Sequence, residues 1–380
     1  MNINTKFTKF FASLTLAAFT VGGLGLGAPA AQAQTTTGQS ALFNVVELVL
    51  TADIDIAVKR ALIVQLLSNY QIDMDDDDMD MMMNMSPEMM DVFAGASAVY
   101  LDRENDHLYV SSNTEGMVGV YDLDNGDDWM MFDVEATDAD GIYYDEDEDM
   151  LYQINRSDNQ VDVYMDIMDS VDNEDNDLMF SYSSSDDDFM NGREIAVMGD
   201  YVVVADDASD ANMNQNRLFV YENDEDEEDL NLIREYDVDI NLWGIKAVGN
   251  DLHAVIDNSN EVAMFVDFFD LENDDNELEP DMVFEVENLV RTHGLDYDMD
   301  TDTLVLTDVG SADSDSDGAL VVIEGFMDAV SDMMISADEQ TRIVGEDTML
   351  GNPVDVSIDG DMIYVAERAR DGGLVLTFQL

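Results

Sequence analysis

The sequence predicts an all-β protein, a six-bladed β-propeller closed by a strand from its N-terminal side. Three observations predict it. Short apolar runs are broken by turn residues every eight to twelve positions, the spacing of strands joined by tight turns. One unit of such strands recurs about every 50 residues, a blade-sized period. The last unit stops after its third strand, and an apolar segment, Met89–Phe93, stands ahead of the first unit with no partner of its own.

The unit is plainest in Gly141–Tyr164, where Ile142–Tyr144, Leu151–Asn155 and Val161–Tyr164 are separated by an acidic and a polar turn. Aligned on the apolar residue that opens the first strand, Ala98, Ile142, Ile195, Ile245, Leu295 and Val354 are equivalent. The second strands are then Leu108–Val110, Leu151–Ile154, Tyr201–Ala205, Leu252–Ile256, Leu304–Thr307 and Ile363–Ala366. The third strands are Val118–Tyr121, Val161–Tyr164, Leu218–Tyr221, Val262–Val266, Leu320–Ile323 and Leu374–Phe378. Fourth strands fall at Trp129–Val134, Leu178–Tyr182, Leu232–Val238 and Met282–Val286, and in the fifth unit at Met333–Ser336 or Thr341–Val344. The sixth unit borrows Met89–Phe93, which leaves only short, protected edges. Gly141, Gly192, Gly244, Gly294 and Gly351 lead into first strands, where a tight turn at positive φ is expected.

Leu108–Leu123 (LYVSSNTEGMVGVYDL) and Met150–Tyr164 (MLYQINRSDNQVDVY) resemble NHL and YVTN-type β-propeller repeats. The resemblance covers roughly Ser97–Leu380. It implies a scaffold shared by binding modules and by some hydrolases and lactonases, the latter with a divalent cation at the channel. A fold hosts many functions, so the resemblance leaves function open.

Ahead of the repeats the chain reads as four segments. Residues 1–33 form a signal peptide: Lys6 and Lys9, an apolar run Phe11–Leu26, and the small-x-small site Ala31-Gln32-Ala33. Cleavage after Ala33 leaves no transmembrane anchor and sends the chain to the periplasm, cell surface or medium. Residues 34–40 are a polar tether. Residues 41–72 are a helical segment, with Ile56, Val58, Leu62, Ile63, Leu66 and Leu67 at helical spacing, suited to docking on the main domain or on a partner. Residues 73–88 are an Asp/Met-rich linker. Its methionines, Met81, Met82, Met83 and Met85, crowd together with the adjoining Met89 and Met90 as a flexible apolar filler or soft ligands for Cu(I). The propeller occupies 89–380.

Charge narrows the partners. The chain has 87 Asp+Glu against 14 Lys+Arg, a net charge of −73, yet 46% of its residues are hydrophobic. Such self-repulsion opposes folding at low salt, whereas at ~1 M salt the Debye length is about 3 Å and surface carboxylates barely interact. Acid-rich, lysine-poor composition is similar to that of proteins from extreme halophiles. Nucleic acid and anionic membrane surfaces are disfavoured. There is no cysteine, hence no disulfide. The expected partner is a protein or a small molecule.

Candidate site residues follow from the repeat. Second strands end in an acid or amide at Asn113, Asn155, Asp206, Asp257, Asp308 and Glu367, and the lead-in to the first strand carries Asp140, Arg193, Glu194, Trp243, His293 and Asn352. Together they form a ring of oxygen ligands suited to Ca²⁺, or else turn-forming residues at each loop. Asp313, Asp315, Asp317 and Gly318, with Glu324 at the twelfth position, match the D-x-D-x-D-G-x5-E calcium loop, but lie between strands rather than helices. A strand-loop-strand Ca²⁺ site would use the three aspartates and a backbone carbonyl. His293 is a candidate general base or a buried turn residue, and Arg193 and Arg291 neutralise neighbouring acids or hold an anion. No G-x-S-x-G, H-E-x-x-H or phosphate-binding glycine loop is present. The reading is a non-enzymatic binding module; the alternative is a lactonase-type hydrolase with a channel cation.

Overall fold

The computed structural model describes residues 88–124, 129–173, 178–184, 189–208, 215–224, 229–270, 276–311, 316–330, 333–345, 348–369 and 372–380. The signal peptide, the tether, the helical segment and Met81–Met85 lie outside the described residues. The chain is first seen in β1 (Glu88–Val92). Blade 1 is β2 (Ala96–Asp102), β3 (His107–Ser112), β4 (Met117–Asp122) and β5 (Met130–Asp133). Blade 2 is β6 (Ala139–Asp145), β7 (Met150–Asn155), β8 (Gln160–Met165) and β9 (Met179–Ser183). Blade 3 is β10 (Gly192–Met198), β11 (Tyr201–Asp206), β12 (Asn216–Asp224) and β13 (Asp229–Val238), and blade 4 is β14 (Leu242–Val248), β15 (Asp251–Ile256) and β16 (Glu261–Phe265). The two-residue β17 (Glu277–Leu278) adds to blade 3 in parallel, and β18 (Met282–Val286) is the fourth strand of blade 4. Blade 5 is β19 (Leu295–Asp298), β20 (Thr303–Asp308), β21 (Ala319–Glu324) and β23 (Thr341–Val344). The ambiguity in that unit resolves to Thr341–Val344, while β22 (Met334–Ile335) extends blade 4 in parallel with β18. Blade 6 is β24 (Pro353–Asp359), β25 (Met362–Glu367) and β26 (Leu374–Gln379), completed by β1 running antiparallel to β26. The borrowed strand closes the ring as expected. One short helix, α1 (Ile167–Asp172), joins β8 to β9, and another, α2 (Phe326–Ala329), follows β21.

The core lies between blades. Six buried clusters each join one blade to the next, from blades 1 and 2 round to blades 6 and 1. Side chains alternate across a strand, so a strand buried on both faces is apolar throughout. In β11, Val203 and Ala205 point to blade 4 and Val202 and Val204 to blade 2. Each fully buried aliphatic side chain is worth about 1.5–3 kcal/mol.

The lead-in glycines serve a different end from the one expected. None of Gly141, Gly192, Gly244, Gly294 and Gly351 has a positive φ. Three are small because the neighbouring inner strand leaves no room. A Cβ on Gly141 would lie 2.5 Å from Glu194 Oε1, on Gly244 2.2 Å from the His293 carbonyl, and on Gly294 2.6 Å from Asp355 Cα.

Candidate functional site

The innermost strands β2, β6, β10, β14, β19 and β24 surround an axial channel. One hydrogen bond recurs in all six blades and fixes which residues are equivalent. The N–H just beyond the second strand donates to the carbonyl ahead of the inner strand: Asn113 to Gly95, Arg156 to Asp138, Asp207 to Asn191, Asp257 to Asn241, Val309 to Arg291 and Arg368 to Asn352, at 2.8–3.1 Å. Three residues back from each donor, the strand pairing brings Val99, Ile142, Ile195, Ile245, Leu295 and Val356 level. Blades 1 and 6 are therefore anchored by Val99 and Val356, not by Ala98 and Val354.

The same register divides the expected ring in two. Asn155, Asp206, Asp308 and Glu367 share a position with Ser112 and Ile256. Asp257 and Asn113 share the next position with Arg156, Asp207, Val309 and Arg368. A one-residue step reverses the facing of a strand side chain, so the two sets serve different surroundings.

The first set clamps the backbone. Asp206 Oδ1 accepts from the N–H groups of Met190 (3.1 Å) and Asn191 (2.6 Å). Asp308 accepts from the N–H groups of Val290, Arg291 and Gly310 and from Arg342 Nη2 at 2.7 Å. Glu367 accepts from Gly351, Asn352 and Ala369 at 2.7–2.9 Å. Asn155 donates to Asp158 and Asp162 and accepts from the Asp158 N–H. Ser112 Oγ donates to the Ala94 carbonyl at 2.8 Å.

The second set meets the lead-in residues at one end of the channel, the mouth. His293 stacks on Trp243 with ring centroids 3.7 Å apart and planes 7° from parallel. The Arg193 guanidinium lies 4.1 Å from the Trp243 centroid, so it covers the opposite face. Arg193 holds Asp207 and Asp140, Arg156 holds Asp138 and Asp140, and Arg291 Nε donates to Asp257 Oδ1 at 3.0 Å. Burial pushes Asp257 up, but His293 and Arg291 outweigh it and hold the carboxyl below its usual range. Burial lowers His293, which keeps it neutral. Burial raises Asp140 in spite of Arg156 and Arg193.

Deeper along the channel is a cavity of about 220 Å³ lined by the inner strands of all six blades, among them Tyr100, Tyr143, Glu194, Lys246, Leu295 and Asp355. The position before each anchor is Ala98, Gly141, Glu194, Gly244, Gly294 or Asp355. Two of the six are acids, in blades 3 and 6, half a turn apart, each beside the glycine of the preceding blade. Burial raises both carboxyls. Asp355 reaches about 7, while Glu194 is pushed well above its ordinary value by burial and then by Asp355. Asp355 Oδ2 accepts from the Val99 N–H at 2.8 Å. Lys246 is committed to Asp296 (2.8 Å), whose other oxygen accepts from the Ile358 N–H. Arg103, at the cavity's edge, bonds the Ile358 carbonyl and approaches Asp296 and Asp359.

Asp313 and Asp315 of the acidic loop lie outside the described residues. Asp317 Oδ2 accepts from the Ser311 N–H at 3.1 Å, and Glu324 ends β21, exposed, opposite Thr303. Among the described residues, no group of three or more His, Asp or Glu side chains is arranged to hold a metal ion.

No family model matches the chain, and no curated protein matches it. Solved structures similar in fold include hydrazine synthase of Kuenenia stuttgartiensis (14% identity, TM-score 0.48, covering 73% of this chain and 75% of that one). They include virginiamycin B lyase of Staphylococcus aureus (9%, 0.47, 77% and 97%) and the computationally designed Ika8 protein (10%, 0.39, 75% and 71%).

Of the residues named from sequence, the structure brings Arg193, Asp257, Arg291 and His293 together at the mouth and leaves Asn155, Asp206, Asp308 and Glu367 at separate backbone clamps. Asp355, Asp296 and Lys246 were missed. Their signal was present: each is a charge directly beside an apolar anchor in an otherwise buried strand.

Proposed function

We propose that the chain is an exported, salt-adapted binding module of the cell envelope or medium that takes a small, positively charged ligand in its axial cavity. The carrying observation is the pair of buried acids in the cavity. Glu194 and Asp355 face it without ion-pair partners among the described residues, while Lys246 pairs with Asp296. Burial raises both carboxyls although Lys246 lowers each, which holds them toward the neutral form, and a cationic ligand would favour the ionised form. At about 220 Å³ the cavity has room for a hydrated ion or a small amine. Export rests on Lys6, Lys9 and Ala31-Gln32-Ala33, and salt adaptation on the net charge of −73.

The lactonase-type alternative asks for three or more of Asn155, Asp206, Asp257, Asp308 and Glu367 around one point. Their separate backbone and side-chain partners favour the binding reading. The test uses the mature chain in 2 M KCl. Calcium ion and 1,4-diaminobutane are titrated while the thermal midpoint is followed. A saturable rise lost in Glu194→Gln supports the reading. No response to either probe, or hydrolysis of γ-butyrolactone that is lost in Asp257→Asn, overturns it.

A further inference from the structure

The mouth of the channel carries a second binding surface, of opposite preference. In a chain with 87 acids and 14 Lys+Arg, nearly every cation should be saturated by carboxylates. Arg193 is: Nε and Nη2 reach Asp207 and Nη1 reaches Asp140. Arg156 is bound by Asp138 and Asp140. Arg291 is not. Its Nε bonds Asp257, and no partner is recorded among the described residues for either terminal nitrogen, although its side chain is only 23% exposed. Arg368 is exposed and, among the described residues, meets the neutral side chain of Asn113: with that amide turned so that its oxygen faces the guanidinium, Oδ1 accepts from Arg368 Nε at 3.0 Å, Nη1 at 3.2 Å and Nη2.

Arg193 and Arg291 share one wall of the mouth: their guanidinium carbons lie 4.1 and 5.8 Å from the Trp243 ring centroid. The fields of Arg156, Arg193 and Arg368 all act on Asp140, and those of Arg193 and Arg291 on His293. Next to Arg291 in the chain, polar atoms lack partners among the described residues. Thr292 Oγ1 is fully buried and unbonded there, and His293, 4% exposed, makes no close hydrogen bond through either ring nitrogen. Asp257 Oδ1 lies 3.5 Å from its Nε2. Trp243, covered by Arg193 on one face and His293 on the other, fixes this wall of the mouth.

We infer that the mouth binds a carboxylate, held by the terminal nitrogens of Arg291. A planar guanidinium presents parallel N–H groups that match the two oxygens of a carboxylate. Arg193 and Arg156 are positioning residues, locked by their own acids. In molar salt, attraction beyond about 3 Å is screened, so recognition rests on direct contact in a partly buried site. The carboxylate comes from a free organic acid or from an acidic side chain of a peptide. This inference does not depend on the cavity reading, because it concerns other residues at another level of the channel.

The experiment follows Trp243 fluorescence in a Trp129→Phe background, with the mature chain in 2 M KCl. The probes are succinate, citrate, a capped tetra-aspartate peptide and, as a tetrahedral control, inorganic phosphate. A saturable change with succinate or citrate is expected and identifies a free acid as sufficient. A response to the peptide alone also supports the inference and identifies the peptide as the source. Arg291→Gln should weaken binding at least tenfold and Arg291→Lys less, with unchanged far-UV circular dichroism. Arg217→Gln, removing an arginine of β12 that pairs with Glu235 and Asp237 of β13, should leave binding as it was. Phosphate binding with no carboxylate binding, no saturable response to any probe, or full affinity in Arg291→Gln would overturn it.

Discussion

Glu367 offers a measurable test of the clamp that recurs at the ends of second strands. Its side chain is fully buried, and its two oxygens accept from the N–H groups of Gly351, Asn352 and Ala369 at 2.7–2.9 Å. Hydrogen bonds to a charged group contribute about 1.5–3 kcal/mol each, and a buried donor left unpaired costs about 1–3 kcal/mol. Gly351 is buried, whereas Asn352 and Ala369 are half-buried, so water replaces part of what Glu367→Ala removes there. The expected loss is about 3–5 kcal/mol, below the plain sum of three bonds. Glu367→Gln keeps one carbonyl acceptor but turns an N–H₂ toward backbone donors, for a loss of about 2–3 kcal/mol. Urea unfolding in 2 M KCl, followed by circular dichroism, reads this directly. With a slope of about 3 kcal/mol per M, the midpoints should fall by roughly 1–1.7 M and 0.7–1 M. Glu324→Gln, an exposed acid at the end of β21, should change stability by less than about 0.5 kcal/mol. Midpoints for both Glu367 variants within about 0.2 M of the parent would refute the clamp.

Three further outcomes are expected. Gly244→Ala places a Cβ 2.2 Å from the His293 carbonyl and should cost about 1–3 kcal/mol; a urea midpoint equal to the parent's would contradict this. Asp355 and Glu194 have folded pKa values above their unfolded ones, so their contribution is complete at low pH. It is lost as pH rises from about 4 through about 7 for Asp355, and the slope of urea midpoint against pH across that window should flatten in the Glu194→Gln, Asp355→Asn double variant. Dilution from 2 M to 20 mM KCl should lower the thermal midpoint, since the net charge is −73 and the Debye length grows severalfold; a midpoint independent of salt would remove the case for salt adaptation.

The strands were legible because a blade buried on both faces leaves a run of apolar residues bounded by turns, and that pattern survives loss of any particular residue. The strand borrowed from Met89–Phe93 followed from counting, not from propensity. Register was harder. Asp206 and Asp207 are adjacent, as are Asn155 and Arg156, so an acid or amide at a strand's end does not say which of two facings it takes. Blade 4 carries the clue, because Ile256 occupies the position held by Asp206 and Glu367 elsewhere and moves Asp257 to the other ring. The lead-in glycines were misread for a related reason. Sequence shows that a side chain is missing, and only the neighbouring strand shows whether the need was a positive φ or space. The cavity acids were overlooked because attention rested on loop ends, while the axis of this fold is lined by the inner strands themselves.

The distribution of cations explains why the cavity stands apart. Salt screens carboxylates that touch solvent but does not enter a packed axis, so buried acids need partners supplied by the chain. Asp296 has Lys246, Asp308 has Arg342, Asp257 has Arg291, and Asp140 has Arg156 and Arg193. Asp206 and Glu367 have backbone N–H groups instead. Glu194 and Asp355 break the rule: Glu194 has the Ile195 N–H and Asp355 the N–H groups of Val99 and Val356, and among the described residues neither makes an ion pair. Carboxyls kept in that condition cost stability unless something else in the protein's working environment compensates them. Replacing both with amides should therefore raise the urea midpoint of the ligand-free protein above pH 7 while abolishing the response to calcium ion and 1,4-diaminobutane. A double variant that is less stable than the parent at that pH would mean the two acids serve the fold alone.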